Sequence, residues 1–182
     1  MLIRPARPDE YDEIGELAVR VYLVEGYTRA DSRYNTVLRD VAPRAEKAEL
    51  MVAVDGAAAA DTDTDTDTDA ILGTVTYAGL GSPYAEHVSS PEEASFRMLV
   101  VDPAARGQGV GEALVQWCLD RAADSGVRSL RLSTLPGMTA AGRLYLRLGF
   151  VRTPERDWSP ETGVELITYG REIGAAVTRP GR

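Results

Sequence analysis

Met98-Leu99-Val100-Val101-Asp102-Pro103-Ala104-Ala105-Arg106-Gly107-Gln108-Gly109-Val110-Gly111 is the stretch that decides how this 182-residue chain folds. Its apolar start reads as the end of a strand, Asp102-Pro103 stops that strand, and alternating glycines make a turn. Past the turn, Val110, Ala113, Leu114, Trp117 and Cys118 recur at helical spacing, and Gly126 closes a helix predicted from about Gly109 to Ser125. A strand therefore feeds a helix through backbone that carries almost no side chains. The first N–H groups of that helix have no partner within it, and the positive end of its dipole points the same way. This is an anion site by construction, and Arg106 adds a planar donor suited to phosphate.

Working outward, the pattern predicts strands at Leu2–Ala6, Glu49–Asp55, Ala70–Tyr77, Phe96–Val101, Ser129–Thr134, Phe150–Arg152 and Val164–Tyr169. Helices are expected from Pro8-Asp9-Glu10 to about Glu25, stopped by Gly26, then over Ser32–Val41, and over Thr139–Leu148 before Gly149. The order β-α-α-β-β-β-α-β-α-β-β gives a mixed α/β fold in a single domain spanning 1–182. Within it, residues 56–70 are expected to form a flexible hairpin loop. The Asp-Thr alternation of Asp61–Asp69 offers no apolar face, and its acids repel one another.

Composition narrows the function. The net charge of −8 argues against a nucleic-acid binder and suits a cationic acceptor such as an amine. No apolar run approaches the roughly 20 residues of a membrane span. One cysteine and one histidine permit no disulfide framework and no zinc site, and the chain reads as cytoplasmic. The phosphate turn lacks the Gly-x-x-x-x-Gly-Lys-Ser/Thr run of a P-loop. A Gly-x-Gly-x-x-Gly fingerprint fails because Glu112 or Leu114 falls where its third glycine belongs.

Arg106-Gly107-Gln108-Gly109-Val110-Gly111 does resemble the Arg/Gln-x-x-Gly-x-Gly/Ala signature of the GNAT N-acetyltransferases, and Met98–Pro103 resembles the strand before it. Met138-Thr139-Ala140-Ala141-Gly142-Arg143-Leu144-Tyr145-Leu146-Arg147-Leu148-Gly149-Phe150 is similar to the family's closing Ala-x-x-Leu-Tyr-x-x-x-Gly-Phe motif. The resemblance implies a mostly antiparallel central sheet flanked by helices, with a splayed strand pair at an acetyl-CoA site. It implies that Leu99, Val100 and Val101 line the pantetheine arm and acyl group. Arg106, Gly107, Gln108, Gly109, Val110 and Gly111 would hold the pyrophosphate. Transfer would be direct, onto a small-molecule or protein amine, without metal, nucleic acid or membrane; homodimers are common in the family.

In the same reading Tyr145 is the general acid that protonates the leaving thiolate, and the Val100 backbone N–H polarises the thioester oxygen. An alkyl ammonium is free amine only about 4 times in 10,000 at pH 7, so a base is needed. Ser95 stands where the family most often has Glu, which leaves Glu93, expected in a loop, as the candidate, with His87 a second. Tyr22, Tyr27 and Arg29 at the junction of the first two helices, and Asp157 and Trp158 between the last two strands, are the candidate acceptor contacts. Asp157 offers a charge for an ammonium group and Trp158 a cation–π face. Cys118 sits on the apolar side of its helix and reads as structural rather than as an acyl-carrying nucleophile. The competing readings are a non-catalytic acyl-CoA-binding module, which the missing strand Glu favours, and a binder of another nucleotide.

Overall fold

The computed structural model describes residues 1–56, 70–161 and 163–174, so the Asp-Thr loop expected at 56–70 lies almost wholly outside the described residues. In chain order the elements are β1 (Leu2–Pro5), α1 (Tyr11–Val24), α2 (Tyr34–Arg39), α3 (Val41–Lys47), β2 (Glu49–Val54), β3 (Ile71–Gly79) and β4 (Glu93–Val101). They continue with α4 (Val110–Asp124), β5 (Ser129–Thr134), α5 (Thr139–Arg147), β6 (Val151–Arg152), β7 (Trp158–Glu161) and β8 (Val164–Glu172).

One sheet runs β1-β2-β3-β4-β5-β8-β6, with β7 paired to β8. Neighbours are antiparallel except β4 and β5, which run parallel. The fold is therefore a single α/β domain with a mixed, mostly antiparallel sheet flanked by helices.

Strand alternation divides the apolar residues between two cores. In β2, Met51 and Ala53 face α4 and α5, whereas Leu50, Val52 and Val54 face α1 and α3. Leu114, Val115, Cys118 and Ala122 of α4 fill the first core; Ile14, Leu17, Ala18 and Val21 of α1 fill the second. Gly73 of β3 lets α4 close down on the sheet. A Cβ there would stand 2.6 Å from the Val100 carbonyl oxygen and 3.0 Å from Val110 Cγ1.

β4 departs from simple alternation. Thr74 pairs with Val100 but Thr76 pairs with Arg97, so Met98 and Leu99 together oppose Val75, and Met98 takes φ 51°. This wide bulge shifts the strand by half a period. Ala94 and Phe96 point into the α4 core, while beyond the bulge Met98 and Val100 point into the α1 core.

Three boundaries differ from the sequence expectation. The predicted helix over Ser32–Val41 is two short helices, broken at Asp40 (ψ 72°), and the second continues to Lys47. β4 begins at Glu93 rather than Phe96, because the chain after Pro91 joins β5 at once: the Arg128 and Ser129 N–H groups both donate to the Glu92 carbonyl. β7 lies where the sequence pattern predicts only a connection, because its four residues include Pro160 and offer no apolar alternation.

Candidate active site

The site forms where β4 and β5 part. The two strands pair only over Glu93–Ser95 and Ser129–Arg131. From there β4 stays with β3 and β5 stays with β8, which opens a fork between them. The orientation of β4's backbone along the fork follows from one bond. Asp102 N–H donates to the Leu72 carbonyl at 2.9 Å, so the alternation of an antiparallel ladder turns Val100 toward β3 as well. The N–H groups of Leu99 and Val101 then point to the opposite edge, the one β5 has left. The Val100 N–H expected to serve the site faces the wrong strand, and its two neighbours face the right one.

Past the strand, Asp102 caps the next turn by accepting from Ala104 N–H at 2.8 Å. Gly107 and Gly109 adopt φ 77° and 80°, the left-handed backbone that side chains resist, and Gly109 is the N-cap of α4. Ala113 makes the first intrahelical bond to Gly109, so the Val110, Gly111 and Glu112 N–H groups lie at the helix's donor end. Gly111 also gives close passage: a Cβ would sit 3.4 Å from Leu144 of α5 and 3.5 Å from Val101. Gln108 is tied to the Ala104 carbonyl at 3.2 Å. Arg106 pairs at 2.7 Å with Glu25 at the end of α1, and both side chains are partly exposed.

Tyr145 comes from α5 and underlies the fork. Its ring makes edge contacts with Phe96 of β4 at 5.8 Å and Phe150 at 6.0 Å, and lies tilted against Tyr169 of β8 at 5.9 Å. Burial pushes its phenol well above the usual range, so it is a proton donor at every ordinary pH. Cys118 is buried beneath it in the core, and burial raises that thiol too, which is the condition of a structural cysteine.

On the α1 face of the fork a polar wall assembles from distant segments. His87 Nε2 meets Ser133 Oγ of β5 in a short contact, and Ser133 accepts from the Trp158 indole at 3.2 Å. The His87 ring lies edge-on to Trp158 at 4.7 Å. Burial holds the His87 pKa below its usual value; Arg97, Arg156 and Arg131 push the same way, against Glu86. Arg97 of β4 pairs with Glu86 at 2.8 Å and donates to Tyr34 OH at 3.3 Å. Tyr34 and Tyr27 flank Tyr22 at 5.9 and 5.8 Å.

Tyr22 and Tyr27 join the wall, and Tyr27 also lines a groove of about 810 Å³ with Pro136, Gly137, Ser159 and Glu165. Arg29 does not join it; its side chain is exposed and pairs with Asp31. Asp157 is already committed: it binds Arg152 at 3.0 and 2.7 Å and accepts from Thr168 N–H at 2.8 Å. Its pKa falls to about 2, with the Arg152 bond the largest cause, so it has little left for an ammonium group.

Glu93 is in β4, not a loop. It is bound by Arg131 at 2.7 Å, Arg156 at 3.2 Å and the Ser89 N–H and hydroxyl at 3.0 and 2.9 Å. Burial alone would raise its pKa, but these bonds outweigh burial and bring it to about 2. Such a carboxylate is a poor base. Sequence reasoning missed Ser133, Arg44 and the bulge at Met98. The one signal available was Arg97, a charge standing among the apolar residues of its strand.

Among the described residues no cluster of three or more His, Cys, Asp or Glu is arranged to hold a metal. Nor is any helix among them long and apolar enough to cross a membrane.

The family model of the GNAT acetyltransferases matches residues 24–150. Solved structures share the fold. A GNAT-family acetyltransferase from Staphylococcus aureus Mu50 is 14% identical at TM-score 0.70, over 94% of this chain and 98% of that one. A GCN5-related N-acetyltransferase from Kribbella flavida is 24% identical at TM-score 0.64, over 94% and 97%. A GNAT-superfamily phosphinothricin acetyltransferase from Sinorhizobium meliloti, in complex with acetyl-CoA, is 18% identical at TM-score 0.64, over 100% and 93%. No curated protein matches the sequence.

Proposed function

The chain belongs to the GNAT acetyltransferase family, and on that premise we propose that it is an N-acetyltransferase moving the acetyl group of acetyl-CoA directly onto a primary amine. The observation that carries this reading is the fork itself: an edge of outward N–H groups on β4 that ends at the glycine turn and donor end of α4. That geometry fits an extended amide-bearing arm terminating in a pyrophosphate. Arg106 and the Gly107, Gln108, Gly109, Val110 and Gly111 backbone hold the diphosphate, Arg106 exchanging Glu25 for it. Leu99 and Val101 bind the arm through their backbones, and one of their N–H groups polarises the thioester oxygen in place of Val100.

The chemistry needs two proton transfers. The amine nitrogen attacks the carbonyl carbon, the C–S bond breaks, and the thiolate takes the Tyr145 proton. The proton leaving the amine goes to a base. Glu93 is too acidic for that role, whereas His87 is held neutral on the acceptor wall and has its Nε2 bound to a hydroxyl that can relay. Holding both substrates in the fork makes attack effectively intramolecular. The enzyme acts in the cytoplasm in this reading, with no metal.

Calorimetric titration with acetyl-CoA, with ATP and NAD as controls, tests the first half. Selective micromolar binding is expected, and absence of binding would overturn the reading. Thiol release with a panel of amines tests the second half; binding without release would leave a non-catalytic acyl-CoA module.

A further inference from the structure

The acceptor wall is positive, although the chain as a whole carries −8. Arg44 of α3 is 1% exposed, and among the described residues no carboxylate lies within ion-pair distance of it. Its Nη1 contacts Met98 Sδ at the bulge at 2.6 Å, and its Nε has no partner. The groups acting on it are the tyrosines Tyr34, Tyr84 and Tyr22, and the like charge of Arg97. Thr76, directly opposite Arg97 across the β3–β4 ladder, is fully buried with its hydroxyl also unpartnered. Arg97 has Glu86, but that carboxylate is 40% exposed and reaches in from the segment between β3 and β4. Further along the wall, Arg131 and Arg156 share the single carboxylate of Glu93. The wall thus holds four guanidinium groups against two carboxylates.

Burying a guanidinium without a counter-charge is among the costliest arrangements in a protein interior. Such a group calls for an explanation, and an anion that arrives with a ligand supplies one. We infer that the acceptor amine carries a carboxylate, which enters beside Met98 and binds Arg97 and Tyr34 at the rim, with Arg44 as the buried counter-charge beneath. The substrate class is then an amino acid or a similar amino-carboxylate, not a polyamine. This rests on the acetyltransferase reading and narrows the acceptor, for which net charge alone suggests no more than an amine. The same cations disfavour an ammonium group nearby, which helps supply the free amine that attack requires.

The test compares amino acids with their methyl esters and decarboxylated amines in the thiol-release assay. Alongside it, CoA-loaded protein is titrated with N-acetyl-amino acids and their amides. Free acids are expected to be favoured at least 10-fold, with the preference in KM. Arg97→Gln should raise KM for the acids 10-fold or more and raise it far less for the esters, so that the preference is lost. Arg44→Met should erase the preference without lowering the melting temperature, because it removes an uncompensated charge. Equal use of acids and esters, or failure of every free acid to bind or react, overturns the inference. So does an Arg97→Gln variant that keeps the preference. Acetyl-CoA binding measured on the same samples separates the two proposals: if it persists while the carboxylate is ignored, only the acceptor assignment fails.

Discussion

Arg106 Nη1 lies 2.7 Å from Glu25 Oε1, so the arginine of the glycine turn is tethered to the end of α1, 81 residues away in sequence. The pair is partly exposed and worth little to stability, but it competes with any anion that Arg106 is meant to bind.

Glu25→Gln should therefore tighten acetyl-CoA binding by about 2- to 5-fold, the equivalent of one surface ion pair, and Arg106→Ala should weaken it. Calorimetry at low and moderate salt checks both, with the difference shrinking as salt rises. An unchanged affinity in Glu25→Gln would separate Arg106 from the diphosphate.

Tyr145→Phe should cost roughly 10- to 1,000-fold in kcat and leave acetyl-CoA affinity and melting temperature nearly unchanged. The three aromatic neighbours pack against the ring, not the hydroxyl, so phenylalanine keeps them. Wild-type turnover would end the assignment of Tyr145 as the acid.

If His87 takes the amine proton, it must be neutral to act, and its pKa is lowered from 6.5. kcat/KM should then rise with pH through a value below 6.5 and level off before neutrality, apart from the acceptor's own titration. His87→Gln should remove that limb and lower kcat by about 100-fold or more. The groups facing it are Glu86, Arg97, Arg131 and Arg156. Glu86→Gln removes the opposing negative charge and should move the limb lower still.

Glu93 makes a different pH prediction. Its folded pKa of about 2 lies below the ordinary 4.5, so its stabilising contribution is full above 4.5 and is lost as pH falls toward 2. Urea midpoints should decline over that window in the wild type and less steeply in Glu93→Gln. At pH 7 the same variant leaves Arg131 and Arg156 without their carboxylate and should cost about 3 kcal/mol. A base role would instead show as lost activity with intact stability.

Gly73→Ala should be severely destabilising, because the new methyl meets the Val100 carbonyl oxygen at 2.6 Å, where backbone cannot yield cheaply. A loss of about 3 kcal/mol or more by denaturant melting is expected.

The glycine turn and the start of α4 were legible in the sequence because their determinants are local. Gly107 and Gly109 are needed by the conformation of their own backbone, and Asp102 caps a turn two residues on. The polar wall was legible only in part: Tyr22, Tyr27, His87 and Trp158 were named as candidates, but not their partners, because Arg44 meets Met98 across 54 positions and His87 meets Ser133 across 46, with no periodicity to announce either. The fold divides the same way. The long helices and β5 were readable from spacing. Asp40, which breaks one predicted helix into α2 and α3, and the pairing that draws Glu93 into β4 depend on neighbours that no single stretch displays. The bulge at Met98 was invisible for a related reason: an apolar run reads alike whether or not a residue is added to its ladder.

That added residue has an evolutionary consequence. Beyond it, β4 speaks to the two proposed substrates in different languages: main-chain N–H groups toward the acyl donor, and side chains on the α1 face toward the acceptor. Main-chain donors are common to almost every residue type, so replacing Met98 or Arg97 can retune the acceptor while the donor contacts persist. A lineage built on this strand is free to change what it acetylates without relearning what it acetylates with.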